Sequence, residues 1–336
     1  MRSARGGWIA LPLLAAAMAC GRGEPAAEGM IEEAVAKPLA ARADRRVAVT
    51  FDDLPVIEVV PCDDACRETI TAELLAAVTA HRVPAVGFVN EDKLEEDGRA
   101  VPRRVALLQR WIDAGLELGN HTYSHPDFHR TPLADFQAEV LRGERVTRPL
   151  MEAAGRKPRW FRHPFLHTGR DLEDRAAFER FLGEHGYRVA PVSVDNHDYV
   201  FAAAYARAHA AGDTAAKRSV GAEYLDYMGR IFAYHEAQAA AIVGRDIPHV
   251  LLLHANRLNS DLFGELARRL ETRGYSFVTL DEAMADPAYR SEDRYTGPAG
   301  ITWLHRWAIT RGMRGSVFAG EPEVPAWVQR MSGRRG

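Results

Sequence analysis

Between residues 46 and 285 the chain alternates between short apolar runs and longer amphipathic ones, and several of the apolar runs end at a polar residue. The first run, residues 47–51, is continuous and partly β-branched, the pattern of a strand buried on both faces. Residues 69–80 carry Ile70, Leu74, Leu75 and Val78 at helical spacing. Further strands are predicted at 85–89, 116–119, 160–162, 188–194, 249–253 and 276–279. Between them lie helical stretches at 101–114, 132–154, 171–185, 220–243 and 262–273, with Gly115, Gly186 and Gly274 placed to end three of them. Strands separated by helices imply a parallel sheet, because parallel neighbours need a crossover connection.

The polar residues choose between a closed and an open sheet. Asp52 and Asp53 follow the first strand, His121 follows the third, Arg162 ends the fourth, Asp195 follows the fifth and His254 ends the sixth. In a barrel the C-terminal strand ends converge on one face, whereas an open sheet spreads them along a line. The expected fold is therefore α/β, a distorted or incomplete (β/α) barrel of about seven strands, spanning 46–285. Beyond residue 285 the rhythm stops. The C-terminal extension, 286–336, holds Trp303, Trp307, Trp327 and many arginines, and is expected to pack over one end of the barrel.

Residues before the first strand read as sorting signals. Arg2 and Arg5 precede an apolar stretch, 8–19, that is too short to span a bilayer and ends in small residues before Cys20. Residues 1–19 are expected to be a signal peptide, and 17–20 resemble a lipobox, which would attach lipid to Cys20 and tether the chain to a membrane through 20–45. The expected location is the cell envelope, as an exported bacterial lipoprotein. Two cysteines remain, Cys62 and Cys66. An exported chain permits a bridge between them, and free thiols are the alternative; a thiolate metal site lacks further cysteines. A formal net charge of −3 argues against a nucleic-acid partner.

Five short motifs carry chemistry. Asp52-Asp53 after an apolar strand is costly to bury unless paired or used, although two aspartates in a solvated turn would look the same. His121 and His125, four apart, suit one metal ion, and with Asp53 make a set of two imidazoles and one carboxylate. Arg162 at a strand end can hold a carboxylate. The remaining two are 195–199 (Asp-Asn-His-Asp-Tyr) and the apolar strand closed by His254.

Taken together and in order, these motifs resemble polysaccharide deacetylases of the carbohydrate esterase family 4 type, over roughly residues 46–285. The resemblance implies that Asp53, His121 and His125 hold one divalent metal, zinc first, with cobalt or another divalent ion as alternatives. It implies that Asp52 is the general base and that Arg162 orients it. His254 would be the general acid, with Asp198 holding its ring, and the backbone N–H of Phe165 would help stabilise the oxyanion. The implied activity is removal of N-acetyl groups from an amino-sugar glycan such as peptidoglycan or a chitin-like oligosaccharide. An O-acetyl esterase and an inactive glycan-binding homologue are the alternatives; no ligand, base or acid of the pattern is missing. The sequence departs from the pattern at Leu54, Phe165 and Tyr199, where glycine, tyrosine and tryptophan are commoner, and in a longer first loop containing Cys62 and Cys66. Such a loop would narrow the groove toward chain ends or small substrates.

Overall fold

In the computed structural model, which describes residues 45–333, the first apolar run becomes β1 (Arg45–Leu54), buried along almost its whole length. The expected signal peptide, Cys20 and the expected tether up to residue 44 lie outside the described residues; Arg45 belongs to the strand, where it pairs with buried Glu236. After β1 come α1 (Asp64–Ala80), β2 (Val86–Val89) and a small hairpin of β3 (Glu95–Glu96) and β4 (Arg99–Ala100). Then follow α2 (Pro102–Asp113), β5 (Glu117–Asn120), α3 (Leu133–Arg142) and α4 (Thr147–Ala153). The chain continues through β6 (Trp160–Phe161), α5 (Leu172–Glu184), β7 (Arg188–Val189), α6 (Asp198–Ala210) and α7 (Thr214–Val243). It ends with β8 (His249–His254), α8 (Arg257–Thr272), β9 (Tyr275–Phe277), α9 (Leu280–Met284), α10 (Trp303–Thr310) and α11 (Ala326–Ser332).

Seven of these strands form one parallel sheet in the order β7-β6-β5-β2-β1-β8, with β9 on the N-terminal end of β1. The sheet curls until its two edges meet. Past β7, Val194 bridges Leu251 of β8, through Val194 N–H to Val250 O (3.0 Å) and Leu252 N–H to Val194 O (3.1 Å). The expected incomplete barrel is thus present, with a one-bridge seam. Continuous apolar strands follow from this arrangement, because a parallel sheet covered by helices is buried on both faces.

The 132–154 stretch is two helices and not the single one predicted. At Gly143 an added Cβ would lie 2.5 Å from the backbone of Thr122, so the chain turns where it passes the loop carrying the two histidines. A helix was also missed: α6 opens at Asp198, and its alanine-rich body buries nearly all round between α7, α8 and α11. The extension is no separate body. Within the described residues one compact unit runs from β1 through α11. α10 packs on α7, α11 on α6, and Trp303 N–H donates to Val192 O (2.7 Å). Cys62 and Cys66 are bridged, at the start of α1 where Asp63 caps the helix by accepting from Cys66 N–H (2.8 Å).

Candidate active site

Strand register brings the polar motifs to one level. Asp52 pairs with His254 across β1 and β8, Val89 pairs with Asn120, and Asn120 pairs with Phe161, so His121 and Arg162 each lie one residue beyond a paired position. At Asp53, φ is 67° and β1 shifts its register against β2 between Phe51 and Leu54, an irregularity that turns the two adjacent carboxylates to different neighbours. Non-glycine residues with positive φ gather here: Asp53, Thr122, His125, Phe165 and Leu166 all border the site, while Arg82 and Asp97 sit in turns elsewhere. Such conformations cost roughly 1–3 kcal/mol each and persist where the surroundings enforce them.

One wall holds Asp53, His121 and His125, whose ligand atoms all lie within 4.8 Å of one another. His121 Nδ1 bonds the carbonyl of Arg162 at 2.8 Å. A carbonyl only accepts, so Nδ1 carries the proton and Nε2 keeps its lone pair. The chain returns to this point through Thr122, whose Oγ1 accepts from His125 N–H (3.0 Å), and the two imidazoles meet edge to face at 4.8 Å. Burial lowers the pKa of both rings, that of His121 well below its ordinary value, so they stand neutral, the state in which imidazole ligates. Burial opposes charge on Asp53 too, but nearby positive charge, Lys93 first and His254 with it, outweighs burial and holds the carboxyl well below the usual range. Two neutral nitrogens and an ionised oxygen are a donor set that fits a divalent metal ion.

Behind that wall, Asp52 is 2% exposed and burial pushes its pKa up to about 6, against the pull of Arg162 and His254. Arg162 is fully buried, with Nη1 3.7 Å from Asp52 Oδ2, Nη2 donating to Thr50 Oγ1 (2.9 Å) and its guanidinium over the Phe88 ring. Across the pocket His254 Nδ1 bonds Asp198 Oδ1 at 2.7 Å. The other oxygen of Asp198 accepts from His254 N–H and Asn259 Nδ2, both at 2.8 Å. Burial alone would lower the pKa of His254. The Asp198 carboxylate overrides it and raises the value to about 9.

All eight predicted residues therefore meet around one pocket of about 430 Å³; Asp52, Asp53, His121, His125, Phe165 and His254 line it, and Arg162 and Asp198 stand behind. Phe165, 53% exposed, lays its ring against His125 at 4.5 Å. Other residues join them, and of these Lys93, His167 and Gly300 carried no readable signal in the sequence. Lys93 Nζ sits 3.1 Å from Asp53 Oδ1, His167 and Asp195 line the walls, and the long first loop reaches the lining with Ile57. Gly300 brings the C-terminal extension into the lining, so close that a Cβ there would lie 2.0 Å from Phe165 O.

Residues 40–183 match the sequence family described as polysaccharide deacetylase. This segment is a polysaccharide deacetylase domain. A peptidoglycan-N-acetylglucosamine deacetylase of Bacillus cereus is 24% identical over 234 residues, covering 70% of this chain and 66% of that protein. A chitooligosaccharide deacetylase of a Bradyrhizobium species is 35% identical over 121 residues, covering 36% of this chain and 46% of that protein. The chain thus spans less than two thirds of the length of either relative. Among solved structures, a family 4 carbohydrate esterase from Streptomyces lividans in complex with acetate aligns at 19% identity, 72% and 96% coverage and a TM-score of 0.43. The match to the deacetylase domain ends before Asp198 and His254, which the barrel nonetheless carries to the same pocket.

Proposed function

We propose that the chain is a metal-dependent hydrolase that removes N-acetyl groups from an amino-sugar glycan of the peptidoglycan or chitooligosaccharide kind. The observation that carries this reading is the facing of two differently prepared histidine sites across one pocket: neutral imidazoles beside Asp53, and a carboxylate-bound imidazole at His254. Amide hydrolysis needs both, since its nucleophile must lose a proton and its amine must gain one.

Asp53, His121 and His125 would hold the metal, zinc or another divalent ion. When bound, it supplies Lewis acidity to the acyl carbonyl and to the attacking water. Asp52 is the base that takes the proton from that water, and Arg162, fixed by Thr50, keeps its carboxylate turned to the pocket. His254, kept protonated by Asp198, hands its proton to the departing amine. The exposed Phe165 turn borders the acyl site and would offer its backbone N–H to the developing oxyanion. The test is acetate release from N-acetylated chito-oligosaccharides and from peptidoglycan, with the metal removed by chelator and then restored. Release that is lost on chelation and regained with zinc or cobalt is expected. No release by the metal-loaded protein, or release indifferent to chelation, would overturn the reading. The apolar start and Cys20 support an exported, lipid-anchored placement, and Cys20→Ser should then leave the membrane fraction.

A further inference from the structure

We propose that His167 is a substrate-binding residue whose Nε2 hydrogen-bonds a sugar hydroxyl, one aromatic ring's width from the acyl site. The inference rests on the glycan reading above and adds a specificity contact to it. His167 lines the pocket on the far side of Phe165, whose ring lies 4.5 Å from that of His125 and 5.8 Å from that of His167.

Three constraints fix this side chain. Its Nδ1 bonds Asp127 Oδ1 at 2.7 Å. The same carboxylate oxygen accepts from His129 N–H at 2.8 Å, which holds Asp127 in place. The imidazole lies flat on that of His129, 4.1 Å away and within 3° of parallel. Asp127 resists burial and stays ionised through these bonds, its pKa held below the usual value. With Nδ1 held by the carboxylate, Nε2 is the ring atom left to meet a ligand. Nε2 has no hydrogen-bond partner among the described residues and is not enclosed. A rigid ring, oriented by a carboxylate and left with one open polar atom on a pocket wall, is built to meet a ligand hydroxyl. A sugar supplies hydroxyls, which both donate and accept, on every ring.

The same three residues bring ligand atoms within 4.8 Å of one another, which raises a second metal site as the competing use. Stacked imidazoles argue against it. Their lone pairs run along parallel planes and do not converge on one ion, and the Asp127 oxygen that would ligate already holds both His167 and the His129 backbone.

The experiment compares the metal-loaded full chain with His167→Ala, His167→Phe and His167→Gln on two substrates. One is an N-acetylated chito-oligosaccharide and the other is 4-nitrophenyl acetate, which has no hydroxyl to offer. Loss of one hydrogen bond should raise KM for the oligosaccharide roughly 3- to 10-fold with kcat nearly unchanged. His167→Phe, which keeps the stack, should show the same defect; His167→Gln, whose amide can both donate and accept, should recover part of it. Hydrolysis of 4-nitrophenyl acetate should not change. Equal losses on both substrates, an unchanged KM, or a second bound metal equivalent that disappears in His129→Ala would overturn the proposal. Calorimetric binding of the oligosaccharide separates the two readings. A protein that binds but never deacetylates refutes the deacetylase, and the Kd of His167→Ala then decides the contact alone. A protein that binds no oligosaccharide refutes both.

Discussion

His121 and His254 face the same pocket from opposite walls, both buried, yet they stand in opposite protonation states. The difference lies in what each Nδ1 touches. His121 donates its Nδ1–H to a backbone carbonyl, whose support for positive charge is outweighed by burial, so the ring is neutral. His254 gives its proton to the Asp198 carboxylate, so charge wins over burial and the ring is cationic up to about pH 9. One fold thereby holds the same side chain neutral on one wall and cationic on the other, the states that the proposed ligand and the proposed acid need.

The largest effect expected from breaking this contrast is on the neutral wall. His121→Ala and His125→Ala should lose tight metal binding and fall to background activity, because three protein ligands leave no spare. Metal analysis of the purified variants checks it, and full occupancy in both would remove the assignment. Asp52→Asn comes next. It should keep its metal while turnover drops roughly 10²- to 10⁴-fold, the usual range for a positioned base. Normal turnover in this variant would leave Asp52 a structural residue.

Asp198→Asn makes the acid wall resemble the neutral one. Without the carboxylate, burial governs His254 and its pKa should fall below 6.5, the ordinary value. Since the acid must be protonated, the wild-type rate should decline as pH rises through about 9, and the variant's alkaline limb should move below 6.5. At pH 7.5 that shift removes roughly 10-fold of the protonated form. The same linkage touches stability. A raised histidine pKa contributes stability present below 6.5 and lost as pH rises through about 9, so the wild type should melt lower at pH 10 than at pH 6, and Asp198→Asn should flatten the difference. The acid limb lies at or below about 6, because a cation on Asp53 would pull the Asp52 pKa down from its buried value. An alkaline limb that ignores Asp198→Asn would show that another group supplies the proton.

The smallest effect should come from Thr50→Val. Thr50 Oγ1 accepts from Arg162 and donates to Leu251 O at 2.8 Å, so its loss loosens the arginine that orients Asp52. A few-fold fall in kcat is expected, on the scale of one hydrogen bond, with metal content unchanged. A change in metal content instead would place Thr50 on the ligand side of the comparison.

What the sequence revealed and what it hid follow a physical line. β1 and its two aspartates were legible because a strand buried on both faces must be continuously apolar, and a charged pair closing such a run stands out. His121, Arg162 and His254 were legible for the same reason, each at or just beyond a paired strand end, whereas His125 was read from its four-residue spacing to His121 and Asp198 only from the family resemblance. α6 was hidden because its alanines bury on every side and show no helical period. The break at Gly143 depends on contact with Thr122, and the placement of Gly300 depends on contact with Phe165, distant in sequence in both cases. His167 was hidden as well: a lone histidine gains meaning only when Asp127 and His129, forty residues away, fold behind it.

The one-bridge seam between Val194 and Leu251 has a chemical consequence. Asp198 stands four residues beyond one side of the bridge and His254 three beyond the other, and Asn196 adds a stitch to Leu252 O at 2.7 Å. The proposed proton donor is therefore assembled across the closure of the barrel, with Asp198 on one side and His254 on the other. The proposed metal ligands come instead from β1 and the end of β5 and its loop, which are joined through β2 in the middle of the sheet. Local opening of the seam would separate Asp198 from His254 and leave Asp53, His121 and His125 together, so the two proposed halves of the chemistry would answer differently to partial unfolding.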